Sequence, residues 1–253
     1  MSQIDWDRIV ADADNEARKK VQKESENGQN SLDFISEPHV ACCLLVDTSG
    51  SMQGSKIDEL NRALQHFKKD VCADPLSAKR VDVCVVEFNS KASIVTPFCP
   101  IAKFKPPTLS AHSTTAMATG IRYAIEAVHD QVSRYHAAGI ECYKPFVLMI
   151  TDGEPTEDME GIAKLISARE SRGRYGHMRF HAFGVKGANM DFLSTLTHRV
   201  LAVNNNAFME IFDWARKACR LFLTANLQNM LEGNLGPNME PYNPVEKKVP
   251  WND

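Results

Sequence analysis

The sequence predicts an α/β fold: a doubly wound, mostly parallel central sheet with one antiparallel edge strand and helices on both faces. Three observations carry this. Residues 40–46 and 146–150 are unbroken apolar runs, the pattern of strands buried on both faces. Between such runs lie segments whose apolar residues recur at helical spacing, so strands and helices alternate from 39 to 222. Each long apolar run also stops abruptly in oxygen-bearing residues. That is the place where an open α/β sheet builds its site.

The elements follow in order. Residues 39–47 form the first strand. A helix is expected over 56–73, with Ile57, Leu60, Ala63, Leu64 and Phe67 on one stripe. Residues 81–88 are the second strand, and Asn89-Ser90 turns the chain into a third at 92–98. Pro97 places that third strand at an edge, antiparallel to its partner. A helix over 116–138 presents Ile121, Ala124, Ile125, Val128, Val132 and Tyr135 inward. Strands are then expected at 146–150, 178–185 and 200–203. Helices are expected at 159–171, 190–197 and 207–222, the last anchored by Phe208, Ile211, Phe212, Ala215 and Phe222. Residues 1–37 read as a helical or mobile leader, 38–227 as the main domain and 228–253 as an extended tail.

Composition narrows the function classes. A formal net charge of −3 over 253 residues excludes a broadly basic surface for nucleic acid. No apolar run approaches the roughly 20 residues that span a bilayer, and residues 1–7 lack the pattern of a signal peptide. The seven cysteines form no CxxC pair, and Cys42, Cys43 and Cys84 sit inside apolar strands. Reduced, buried thiols in a cytoplasmic protein are the expectation.

Three polar stretches converge if the crossovers are right-handed: 47–51, 113–115 and 151–154. They supply Asp47, Ser49, Ser51, Thr115 and Asp152. Two carboxylates and three hydroxyls, without sulfur or imidazole, suit a hard cation such as Mg²⁺, with Mn²⁺ or Ca²⁺ as alternatives. An ion held by few anionic ligands stays electrophilic and attracts an outside carboxylate. Asp-x-Ser-x-Ser by itself is a weak signal, because such loops also cap helices. Glu154 reads as a rim residue and His181 as structural, whereas His112, Lys103 and Lys105 read as solvated side chains, with contact to a partner as the alternative.

The set resembles the metal-ion-dependent adhesion site of the von Willebrand factor A domain family. Asp47-Thr48-Ser49-Gly50-Ser51 matches its first element, Thr115 the second and Asp152 the third, in order and in strand context. The resemblance implies direct coordination of Mg²⁺ by Ser49, Ser51 and Thr115, with Asp47 and Asp152 acting largely through water. It also implies a partner protein that supplies a Glu or Asp. The wording of the two loops, Val46-Asp-Thr-Ser-Gly-Ser-Met52 and Ile150-Thr-Asp-Gly-Glu-Pro-Thr156, is similar to the bacterial tellurium-resistance TerY-type branch. That implies a stress or conflict setting beside a kinase-like protein and a phosphatase. One departure is Ser113-Thr114, where related sequences carry Gly-Gly, so that Thr114 is the alternative to Thr115 at the ion. Two other functions stay open on the residues alone. One is a hydrolase or phosphotransferase using the same metal. The other is a metal-independent scaffold binding through its helices.

Overall fold

In the computed structural model the described residues are 37–171, 178–204, 207–223 and 239–241. The leader at 1–36 and most of the tail lie outside them, as do His177 and the side chain of Phe222. The central strand is β1 (Val40–Asp47), whose eight residues are all buried. It pairs in parallel with β2 (Val81–Phe88) on one side and with β4 (Phe146–Thr151) on the other. β3 (Ala92–Pro100) runs antiparallel to β2 at the edge, and its half-exposed pattern accommodates Pro97. Beyond β4 come β5 (Arg179–Val185) and β6 (Val200–Val203), both parallel. The seven-stranded order is β3-β2-β1-β4-β5-β6-β7.

β7 (Met239–Pro241) is a second antiparallel edge, in the segment expected to be an extended tail. Its sequence is poor in strand formers. It pairs because β6 otherwise ends the sheet with open backbone donors and acceptors. A second addition is the short helix α2 (Pro75–Arg80), which follows α1 (Ser55–Ala73). Its start was legible: Asp74 accepts hydrogen bonds from the amide and hydroxyl of Ser77, and Pro75 opens the helix.

The sheet separates two cores. On one side α1 and α6 (Phe208–Leu223) pack together, with the Phe67 and Phe212 rings 5.5 Å apart. On the other lie α3 (Met117–Ala137), α4 (Ile162–Ser171) and α5 (Met190–Leu196). Adjacent Cys42 and Cys43 enter opposite cores, as strand alternation requires. The stripes expected on α1 and α3 are the buried ones. Among the described residues no helix is long and apolar enough to cross a membrane.

The strand order reverses between β1 and its two neighbours. β2 is reached by a crossover to one side and β4 by a crossover to the other. Loops leaving the carboxyl ends of β1 and β4 therefore diverge and leave a crevice between them. Asp47 and Asp152 stand on either side of it.

Candidate metal centre

The backbone leaves β1 under restraint. The Thr48 amide donates to the Phe88 carbonyl at 2.8 Å, and Asn89 Nδ2 donates to Thr48 Oγ1 at 3.0 Å. Residues Gly50–Met52 close a 3₁₀ turn whose Met52 side chain is buried in the core. This turn aims Ser49 and Ser51 back over the strand end. The Ser49 amide donates to Asp47 Oδ1 at 2.8 Å, and the Ser49 and Ser51 hydroxyl oxygens lie 3.0 Å apart.

The second loop is laced to the first. The His112 amide donates to the Thr48 carbonyl at 2.8 Å and the Gly50 amide to the Ser113 carbonyl at 2.9 Å. Gly50 lets the two loops approach closely, since a Cβ would stand 3.2 Å from that carbonyl oxygen and force a small shift. Ser113 has φ 67°, the left-handed region that disfavours a side chain. Strain of this kind gathers at functional loops. Ser113→Gly is expected to stabilise the fold by about 1 kcal/mol, read as a rise in the urea midpoint with an unchanged slope. A lower midpoint would mean that the serine side chain contributes more than the strain costs.

Two neighbouring threonines take opposite positions. Thr114 is exposed, whereas Thr115 is buried. The Thr115 amide donates to Thr156 Oγ1 at 3.1 Å, and the Thr156 amide returns a bond to the Thr115 carbonyl at 3.0 Å. Glu157 accepts from both the amide and the hydroxyl of Thr119, which clamps the β4 loop to the start of α3.

The third loop brings Asp152 and Gly153. Asp152 Oδ1 accepts from the Ser51 hydroxyl at 2.6 Å, and Thr151 Oγ1 donates to Asp47 Oδ2 at 2.5 Å. Gly153 faces the cluster. A Cβ there would lie 3.5 Å from Thr115 Oγ1, 3.6 Å from Asp47 Oδ2 and 3.6 Å from Ser51 Oγ. Asp47, Ser49, Ser51, Thr115 and Asp152 are therefore gathered around one small space, which a side chain at 153 would enter at contact distance.

The chemistry of this cradle fits a hard cation. Every donor is oxygen, and both carboxylates already take protein donors, so the hydroxyl oxygens are the groups left to turn their lone pairs inward. Burial pushes the Asp47 carboxyl up from its usual 3.8 to about 6, and the Asp152 charge adds to this. The Ser49 and Thr151 hydrogen bonds oppose it. A buried carboxylate in that state favours a compensating cation. Among the described residues no group of three or more His, Cys, Asp or Glu side chains gathers as a metal site. The present set contains only two such side chains, and its other donors are hydroxyls.

Four contributors were not named from sequence. Thr151, Thr156 and Asn89 position the donors as described. The fourth, Lys56 in the first turn of α1, makes an ion pair with Asp152 and donates to the Lys186 carbonyl at 3.0 Å. No motif links Lys56 to a residue 96 positions away. At the rim, Asn189 Nδ2 donates to Glu154 Oε1 at 2.6 Å, while His112, Lys103 and Lys105 are exposed.

The fold has solved counterparts. The PilB minor pilin from Streptococcus sanguinis superposes with a TM-score of 0.51 at 15% identity, over 76% of this chain and 63% of that one. SpaC, a pilus adhesin from Lactobacillus rhamnosus GG, gives 0.54 at 12%, over 74% and 31%. A von Willebrand factor type A protein from Catenulispora acidiphila gives 0.50 at 16%, over 72% and 43%. This chain thus spans less than two-thirds of the length of each. No curated protein matches it.

The expected cytoplasmic location is contradicted by two of these similar structures, which are a minor pilin and a pilus adhesin. The cysteines had suggested that location, and all seven are free. Yet Cys42, Cys43, Cys84 and Cys219 are buried, and a thiol that no oxidant reaches stays reduced in any compartment. The family model for the von Willebrand factor type A domain matches residues 43–215, more than half of the chain and all three site loops, so the protein belongs to the von Willebrand factor type A domain family.

Proposed function

We propose that the domain is a non-catalytic protein-interaction module that holds a divalent cation at Asp47, Ser49, Ser51, Thr115 and Asp152. Mg²⁺ is the preferred ion, and the ligand is a Glu or Asp side chain of a partner protein. The observation that carries the reading is the convergence of five oxygen donors from three loops on the space in front of Gly153. When bound, the ion supplies an electrophilic position that accepts an outside carboxylate. The chain supplies neutral hydroxyls toward it and keeps both aspartates behind them, tied to Ser49, Thr151, Ser51 and Lys56. An ion so held retains positive charge for a partner. The names of two of the similar structures, a minor pilin and a pilus adhesin, fit an interaction role.

The finer placement in the tellurium-resistance TerY-type branch, with a kinase-like protein and a phosphatase as partners, rests on the wording of the two loops. Genes for those two proteins beside this one would support it. The module itself is tested by capture from native extract with wild type in Mg²⁺, wild type in EDTA, and Asp47→Ala in Mg²⁺. A partner held only in the first lane is the expected result. A partner held equally in all three would move binding to the helices and remove the metal from it.

A further inference from the structure

The charge of Lys56, beyond its tie to Asp152, has no part in the metal-site reading. Its ammonium pairs with Asp152 Oδ2, while the other oxygen of the same carboxylate accepts from Ser51. The side chain of Asp152 is fully buried, and that of Lys56 is only 20% exposed. The far side of the ammonium is seated on the Lys186 carbonyl at 3.0 Å. The turn that presents this carbonyl depends on Gly187, whose φ is +107° and where a Cβ would lie 3.2 Å from the Asp152 carbonyl oxygen. Three elements thus build a seat for one cation: the first turn of α1, the end of β4 and the loop after β5. A surface lysine in a casual ion pair has no such seat.

We infer that Lys56 is a fixed internal counter-cation of the site, which weakens the binding of the metal ion and keeps the bound ion attractive to an acidic partner. The inference rests on the metal-site reading above. Two carboxylates alone would neutralise a divalent ion, and a neutral centre has little pull on another carboxylate. Lys56 cancels one of the two negative charges. The loaded site then carries net positive charge, at the cost of repulsion between the ammonium and the ion across a shared carboxylate. Low ion affinity and acidic-ligand selectivity follow from the same residue.

The test is titration of the full chain with Mn²⁺ by isothermal calorimetry, for wild type, Lys56→Met, Lys56→Gln and Lys56→Arg. Both neutral variants are expected to bind Mn²⁺ about tenfold more tightly than wild type, and Lys56→Arg within about twofold of it. The glutamine variant keeps a polar group for the Lys186 carbonyl should methionine disturb the fold. Equal affinity in all four proteins would overturn the role of Lys56 and leave the metal site standing. Weaker binding by both neutral variants would overturn it too, and would make Lys56 a support that positions Asp152. Absence of Mn²⁺ binding in every protein would overturn the metal site and this inference together.

Discussion

Asp47→Asn is expected to make the metal-free protein more stable at pH 7 by roughly 3 kcal/mol, while lowering its Mn²⁺ affinity about 10–100-fold. The two effects share one cause. Burial raises the Asp47 carboxyl from 3.8 to about 6, so keeping it ionised at neutral pH costs the folded state free energy. The sign is set by linkage. The folded state holds this proton more tightly than the unfolded chain does. Its contribution is therefore fully favourable below about pH 3.8 and is lost as pH rises through 6. An amide at 47 escapes the loss. Its oxygen can still accept from the Ser49 amide, and its NH₂ can donate to Thr151 Oγ1, which already accepts from the Gly153 amide at 3.2 Å. The check is chemical denaturation in EDTA from pH 4 to 8, with Mn²⁺ titration alongside. The gain should shrink toward zero near pH 4. A variant less stable than wild type at every pH would show that burial of this charge is not the dominant cost.

His181→Phe should have the opposite pH signature. His181 lies in β5, buried, with its ring 4.8 Å from that of Trp214, and its Nδ1 has no hydrogen-bond partner among the described residues. Burial holds the imidazole down from 6.5 to about 3, with Arg199, Arg179 and His198 adding repulsion. The depressed value means that the unfolded chain takes up a proton the folded one refuses. Stability from this residue is present above pH 6.5 and is lost as pH falls toward 3, by about 1.4 kcal/mol per unit and up to about 5 kcal/mol in all. Phenylalanine keeps the ring against Trp214 and removes the titration. The difference in unfolding free energy between variant and wild type should therefore grow as pH drops from 6.5 to 3. Parallel curves across that range would mean that His181 is not neutral in the fold. In wild type the two residues act against each other between pH 4 and 6, where Asp47 gains and His181 loses.

How much of this could be read beforehand depended on the range of the interactions. The apolar runs at 40–46 and 146–150 imply double burial, because a strand with no polar face has nowhere to put one. The helical stripes on α1 and α3 follow in the same way. Asp47, Ser49, Ser51 and Asp152 were legible because each ends or follows a strand, and a parallel sheet brings strand ends together whatever the loops do; Thr115 instead stands just before the first turn of α3. The acidic N-cap at Asp74 and the proline after it are equally local signals, but the expected helix stopped at 73 and α2 was missed.

Tertiary structure alone decided the rest. Thr114 and Thr115 are chemically alike in sequence. What separates them is that the Thr115 amide donates to the Thr156 hydroxyl and the Thr156 amide to the Thr115 carbonyl across two loops, burying one threonine and leaving the other in solvent. β7 forms from a segment with little strand propensity, because the open edge of β6 supplies the hydrogen bonds that propensity does not. Lys56 meets Asp152 only because α1 begins beside the crevice that the strand order opens. The side-chain types and their periodicity are properties of the chain itself, and the layers, the strand ends and the donor set follow from them. Which of those donors is buried, which cation sits against them and what closes the sheet are energies between segments far apart in the chain, and they exist only once it has folded.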